Sequence, residues 1–507
     1  MSGKLLKEAF VSNLNGTSLT EISLGLSVPP LCVVGRGLLL IFHHLQHGEP
    51  TWSWQYRLLL DFVLLVVPII LSCTLLSNVL FCVPLFFLAV YAITLCAFYI
   101  KRNNYVGVSI QEIIRVFLQT EPENDFVPSI TIFRVAINIL TAVSILAVDF
   151  PLFPRRYAKT ESYGTGVMDF GVGCYVFANA LVSPEARRHC GMLQKKGSPL
   201  TKQIVSVWPL LLLGIGRFLS VKAVDYHEHV SEYGVHWNFF FTLAVVRVGA
   251  SVLLTIIPLH RSWIVAVVLA VLYQITLETT TLKMFILHGT DGKGTREGIL
   301  NANREGLLSV FGYVAIYMAG MQVGLYVLKK RTVVKDWVKA IFFLLVASFT
   351  LFTMFNMLQE YIEHASRRIA NLPFVVWVVA QCLFFLSTIL FADLVLVFAK
   401  LLVNGSTVPC SWNCPKSLYR NKKIDDLDSS SKRKDIKRRT FCLLDAISRN
   451  QLLFFLLANV MTGLVNMLLD TIHTNNSLAL SVLILYMFCN CIVMYVLHVQ
   501  NIALKCW

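Results

Sequence analysis

The sequence predicts an all-α polytopic membrane protein of about thirteen transmembrane helices. Three observations carry that prediction. Of its 507 residues, 56% are hydrophobic and 14% charged, where a soluble domain carries roughly a quarter charged residues. Mean hydropathy is +0.66. Apolar runs long enough to cross a bilayer, about 20 residues each, recur along the whole chain, and Lys and Arg collect in every second loop between them.

Residues 1–22 form a polar N-terminal segment without an early apolar h-region, so no cleaved signal peptide is expected and the first helix acts as the anchor. Spans are predicted near 23–45, 57–76, 79–99, 131–148, 166–184, 203–220, 238–258, 263–281, 306–328, 338–358 and 373–402. A basic linker at 403–449, containing SSSKRKDIKRR, reads as a mobile cytoplasmic segment. Two further spans, near 450–470 and 479–500, lie in the last unit, 450–507. The basic loops are Lys101-Arg102, Arg187-Arg188 with Lys195-Lys196, His260-Arg261, Lys329-Lys330-Arg331 and the linker. Placing them in the cytoplasm puts the N-terminus on the opposite, lumenal side and, with an odd number of spans, the C-terminus in the cytoplasm. Asn15-Gly16-Thr17 is then a sequon on the side where glycosylation is possible. The net charge of +15 would suggest nucleic acid in a soluble protein; its placement in short loops makes it an orientation signal, and no nucleic-acid partner is expected.

The other set of loops differs in kind. Segments 149–165, 221–237, 282–305 and 359–372 carry His, Asn, acids, glycines and aromatics, and Arg155, Arg156 and Lys159 sit where basic residues are disfavoured. Contact with an anionic group, or pairing with nearby acids, explains such charges better than snorkelling. Asp149 follows an apolar run and precedes Phe-Pro-Leu-Phe-Pro, whose prolines stop the helix and hold the carboxylate at the membrane boundary. Lys159, ten residues on, can fold back beside it. Such a pair suits hydroxyl activation, with Asp149 as base and Lys159 steadying developing charge, and it equally suits a structural salt bridge.

Further candidates follow from residue type. His236-Trp237-Asn238 lies at a helix entrance and could supply a base or donors. Asn301, Asn303, Arg304 and Glu305 precede a helix and could bind sugar hydroxyls or phosphate, with capping as the alternative for one Asn. The Gly-rich turn around Asp291 could admit a polar head group; it lacks the order of a P-loop. Arg36, Asp61, Asp169, Arg217, Arg247 and Asp393 fall within spans and should face the bundle interior or a wet cavity. Cys410 and Cys414 form an isolated C-x3-C with no second pair following, so no metal site is expected. Asp426-Leu427-Asp428 sits in the basic linker and reads as plain charge. From the residues alone, the chain is an enzyme acting on a lipid with a polar head, or a transporter of such a lipid.

Four segments narrow this choice: AVDFPLFPRRYAKTESYGTGVMDFGVG (147–173), EYGVHWNFFFT (232–242), HGTDGKGTREGILNANREG (288–306) and LLDTIHT (468–474). They resemble the phosphatidylinositol-glycan class W family of GPI inositol acyltransferases, whose fungal relative is the GPI-anchored wall transfer protein, and the resemblance runs over the whole chain. It implies a thirteen-span enzyme of the endoplasmic reticulum with its polar loops in the lumen. The implied reaction moves a palmitoyl group from acyl-CoA to the inositol 2-hydroxyl of glucosaminyl-phosphatidylinositol, a membrane lipid. No bound cofactor and no obligate protein partner are implied; palmitoyl-CoA is the donor substrate. Asp149 and Lys159 are the carried-over catalytic pair. Arg155, Arg156, Asp169, Arg217, the His236–Asn238 entrance, Asp291 and the Asn301–Glu305 segment are expected around the acceptor. A flippase for a GPI precursor is the alternative.

Overall fold

The computed structural model describes residues 10, 12, 14–48, 52–122, 127–189, 205–224, 230–292, 294–403, 406–413 and 442–504. Among them no strand forms, and one isolated bridge joins Gly16 to Thr165. Lipid offers no partner for backbone N–H and C=O groups, so long apolar runs satisfy them internally as helices. The described residues are organised by the helices α1 (Leu19–His47), α2 (Trp54–Cys73), α3 (Cys82–Val106), α4 (Ile110–Gln119), α5 (Pro128–Ala147), α6 (Val167–Arg187), α7 (Trp208–Val224), α8 (Phe239–Ile256), α9 (Ser262–Thr279), α10 (Arg304–Val327), α11 (Val334–Tyr361), α12 (Leu372–Leu402), α13 (Leu443–Arg449), α14 (Gln451–Leu468) and α15 (Asn476–Val499), with shorter turns between them. All but α4, α7 and α13 are long and apolar enough to cross a membrane, which makes twelve among the described residues. The sixth expected span corresponds to Trp208–Ser220 in α7, whose apolar part is shorter than a full crossing.

Side-chain caps start several helices where the sequence turns from polar to apolar. Ser18 Oγ accepts from Glu21 N, Ser109 Oγ from Glu112 N and Asn371 Oδ1 from Phe374 N. At the centre stands α12, buried along almost its whole length and packed on α1, α5, α6, α10 and α11. By contrast α3 and α11 turn large apolar side chains outward, among them Phe86, Ile93 and Phe342, as lipid-facing helices should. Gly320 and Gly324, one turn apart on α10, let α6 approach closely: a Cβ there would sit 2.9 Å from Phe177 O and 2.5 Å from Leu181 O.

Of the six in-span ionisable groups, Arg36, Asp61, Asp169 and Asp393 are buried, while Arg247 is half-buried and Arg217 is exposed on the wall of a cavity. Arg36 on α1 pairs with Asp61 on α2 at 2.6 Å, both almost wholly buried, and the helix continues from Asp61 as a π-helical stretch, Phe62–Val66. Asp393 accepts from Ser129.

All four polar loops meet at one end of the bundle. Lys159 reaches Glu232, Gly164 N donates to Ala365 O, Val235 N donates to Ala302 O, and Arg368 reaches Glu305. The N-terminal segment joins them, with Thr17 N donating to Thr165 O and Glu161 N to Leu14 O. The basic linker differs from its expected form at both ends. Trp412 is buried against Trp337, Lys400 Nζ donates to Trp412 O, and α13 is buried on its apolar side. Apolar residues, Val408 and Trp412 before and Leu443, Leu444 and Ile447 after, draw these ends into the core. The expected mobile stretch, 414–441 with its Lys/Arg run and Asp426–Asp428, lies outside the described residues.

Candidate active site

The segment after α5 is shaped by its two prolines and by Arg155. The helix stops at Ala147, and Asp149 lies in the turn that follows, its N–H bonded to Leu146 O. Arg155 folds back over this turn. Its guanidinium donates to the carbonyls of Val148, Phe150 and Phe153, each at 2.9 Å, and stacks on Phe10 at 4.1 Å. Val148 is the C-cap of α5, whose carbonyl has no partner within the helix; Phe150 and Phe153 belong to the turn beyond it. Burial pushes the Arg155 pKa down to about 10, against the pull of the Asp149 carboxylate. Arg156 points elsewhere, to Glu21 Oε1 at 2.9 Å and Asn78 Oδ1 at 3.1 Å.

Asp149 is half-buried, and its Oδ2 accepts from Asn466 Nδ2 on α14 at 2.7 Å. Asn466 in turn is reached by Thr471 Oγ1 at 3.4 Å. Lys159 Nζ donates to both oxygens of Glu232 at 2.7 Å. Behind this pair lies a second: Arg367 Nε donates to Asp169 Oδ1 at 2.7 Å, and Asp169 Oδ2 accepts from the Thr160 N–H at 3.0 Å and hydroxyl at 2.9 Å. Burial works against the Arg367 charge, but the carboxylates of Glu232 and Asp169 outweigh it and hold its pKa above the usual guanidinium range.

Asp149 and Lys159 open onto one cavity of about 1450 Å³. It exceeds the usual range for small-molecule pockets, about 300–1,000 Å³. Its walls are α5, α6, α7, α8 and α14. Along α5 it is lined from Ile137 to Val148, a depth of about 17 Å at 1.5 Å per residue. Asp149, Lys159, Glu232, Asp470 and His473 all line it, and most of the remaining lining is aliphatic or aromatic, with a few hydroxyl and amide side chains such as Thr141, Ser144 and Asn459 among them. At the mouth, the Asp470 carboxylate and His473 Nδ1 are 2.8 Å apart, and this hydrogen bond holds the Asp470 pKa below the usual range. The cavity is mostly apolar, with a carboxylate and an ammonium in its wall.

The remaining predicted residues divide between lining and support. Arg217 (exposed, on α7), Trp237 and Asn238 line the cavity. Asn238 is also the cap of α8, accepting from Phe240 N and Phe241 N, and its amide donates to Gly214 O at 2.8 Å. Trp237 Nε1 donates to Thr242 Oγ1 at 2.9 Å. His236 is exposed beside Phe218, its N–H bonded to Asn303 Oδ1, and its ring lies off the cavity.

The Asn301–Glu305 segment turns inward, unlike the substrate contact its residue types suggest. Arg304 is 1% and Glu305 0% exposed. Glu305 takes Arg296 and Arg368, while Arg304 bonds the carbonyls of Ile286, Thr295 and Asn301. Asp291 is exposed on the Gly-rich turn, with Thr295 N near its carboxylate at 3.4 Å. Sequence reasoning missed Glu232, Asn466, Asp470 and His473 as single residues. Two signals could have found them: Glu232 opens EYGVHW, and Asp470 and His473 lie in LLDTIHT. Asn466, inside an apolar run, carried no local signal.

The family model described as GWT1 matches residues 3–497. The bovine glucosaminyl-phosphatidylinositol-acyltransferase PIGW is 50% identical over the full length of both chains, and the human protein of the same name 48%. The GPI-anchored wall transfer protein 1 of Aspergillus fumigatus is 34% identical over 98% of each chain.

Proposed function

Since the chain belongs to the GWT1 family, we propose that it is a glucosaminyl-phosphatidylinositol acyltransferase using an acyl-CoA donor, with its reaction centre between Asp149 and Lys159. The observation that carries this reading is the shared opening of those two residues onto a deep apolar cavity. The fatty chain of the donor lies along α5 and α14, which places its thioester beside Asp149 and Lys159. The inositol of the acceptor enters from the polar cap. Asp149, held by Asn466, takes the proton of the 2-hydroxyl, and the oxygen attacks the thioester carbonyl. The Lys159 ammonium, fixed by Glu232, stabilises the negative charge that develops on the carbonyl oxygen. As the tetrahedral species collapses the C–S bond breaks, coenzyme A leaves as thiolate, and the proton on Asp149 is returned to it. No covalent enzyme intermediate is required.

The acceptor carries a phosphodiester and a free amine, and the mouth of the cavity offers a partner for each. Arg217 on α7 suits the phosphate, and Asp470, steadied by His473, suits the glucosamine ammonium. This reading puts the polar cap in the lumen of the endoplasmic reticulum. Asn15 is exposed on that cap, beside the Gly16–Thr165 bridge, so an endoglycosidase shift lost in Asn15→Gln would support the orientation.

The direct test uses purified protein in detergent with labelled palmitoyl-CoA and glucosaminyl-phosphatidylinositol. Wild type should form the inositol-acylated product. Asp149→Asn and Lys159→Ala, at normal abundance and monodispersity, should each lose 10²-fold or more, the range of a positioned acid–base or oxyanion group. Equal product from all three would move the chemistry away from this pair. No product from wild type would favour transport of the lipid.

A further inference from the structure

Towards the end of the bundle opposite the polar cap, three potential metal ligands converge from the two packed ends of the basic linker. Cys410 belongs to its packed first end; Cys442 caps α13 at its second end and Asp445 lies in the first turn of that helix. One ligand atom of each lies within 4.8 Å of the others. The two sulfurs are 3.6 Å apart. A disulfide would bring them to about 2.05 Å, whereas two thiolates on one tetrahedral zinc ion, each about 2.3 Å from it, stand about 3.8 Å apart.

The surroundings fit thiolate ligands. Cys442 is wholly buried, and Arg36 Nη2 donates to its sulfur at 3.2 Å. An N–H donor on a metal-bound thiolate is the usual outer partner of such a site. Arg36 is itself oriented by Asp61, whose second oxygen accepts the Leu443 N–H at 2.9 Å, so the ligand-bearing turn is fixed from behind. Arg36 Nη1 also donates to Pro409 O at 3.2 Å, which fixes the other ligand segment. Cys410 adopts the left-handed backbone region, φ 59°, a conformation disfavoured for a residue with a Cβ and held here by its surroundings.

We propose that Cys410, Cys442 and Asp445 bind a zinc ion, with water in the fourth position, and that this ion clamps the two ends of the basic linker onto the transmembrane bundle. Binding exchanges two thiol protons for one divalent cation, so the net charge of this buried cluster does not change. The sequence spacing conceals the site because the two cysteines are 32 positions apart in the chain.

The test uses the full-length chain purified in detergent without added metal. Elemental analysis should find about one zinc ion per chain in wild type, falling to background in Cys410→Ser and Cys442→Ser. Should those variants fail to fold, the wild type decides alone. After chelation, Co²⁺ should restore an absorption band from thiolate-to-cobalt charge transfer together with the visible bands of a tetrahedral ion. Both cysteines should resist alkylation until zinc is stripped. Three results would overturn the site: absence of zinc together with no cobalt–thiolate band, zinc content unchanged in both serine variants, or two cysteines that resist alkylation in denaturant until a reductant is added, which marks a disulfide.

Discussion

Two ion pairs stand side by side under the polar cap, and they differ in one respect. Lys159–Glu232 borders the cavity, with side chains 37% and 15% exposed; Arg367–Asp169 is closed, at 4% and 0%. Both join loop 149–165 or the helix after it to another loop, and Glu232 acts on both cations. An ammonium with water and substrate beside it can exchange part of its partner for a developing oxyanion. A guanidinium sealed behind it has no such access, and its strength goes into holding Thr160, and hence Lys159, in place. Residue type does not separate chemistry from architecture here; accessibility does.

The largest effect should come from breaking the closed pair. Arg367→Ala leaves the Asp169 carboxylate in an apolar interior with only Thr160 as donor. Removing one partner of a buried pair costs about 3–5 kcal/mol. The expected result is a protein of sharply lower abundance and thermal midpoint in detergent. A thermal midpoint within a degree or two of wild type would show that the two pairs are equivalent, and the contrast between them would fall.

Glu232→Gln sharpens the same contrast from the open side. Its pair is partly solvated, so the stability change should stay under about 1 kcal/mol. Lys159 then loses its orienting carboxylate, and kcat should fall about tenfold, equivalent to about 1.4 kcal/mol of barrier, with the KM for both substrates little changed. A variant that lost stability as Arg367→Ala does, with kcat per folded molecule intact, would make Glu232 architectural.

The difference between the pairs also marks what could be read from the sequence. Hydropathy fixes where helices run, because lipid leaves the backbone no other choice, and twelve of the expected spans are long helices. Asp149 could be placed at the boundary because prolines act locally. The unusual charges of the four loops announced one shared cap. What stayed hidden was partnership. Arg155 and Arg156 read as charges for an anionic group or for nearby acids, but not which: Arg155 caps α5 and Arg156 pairs with Glu21; Arg304 and Glu305 look like contacts for a polar head, yet they are among the most buried residues. Asn466 is the reverse case, a polar residue in an apolar run whose amide meets Asp149 across 317 positions of chain. Such pairings depend on tertiary proximity, which periodicity and composition do not encode. The bracing of the linker ends was hidden for the same reason, since Trp412 finds Trp337 only when the bundle is assembled.

The smallest effect belongs to the mouth of the cavity, where water competes most. Asp470→Asn should raise the acceptor KM about two- to fivefold, the range of an exposed charge pair, while leaving the palmitoyl-CoA KM and thermal midpoint unchanged. The pH dependence of that KM separates recognition from fold. The His473 hydrogen bond lowers the Asp470 pKa from its ordinary 3.8. A depressed carboxyl pKa means that the ionised form, and any interaction that depends on it, is present above 3.8 and is lost only as pH falls through the lower folded value. Asp470 therefore stays charged over the working range, and the ratio of acceptor KM between Asp470→Asn and wild type should be flat from pH 5 to 7. A ratio that collapsed to one as pH fell from 7 to 5 would assign the amine contact to a group that protonates in that interval. It would leave Asp470 as the residue that orients His473.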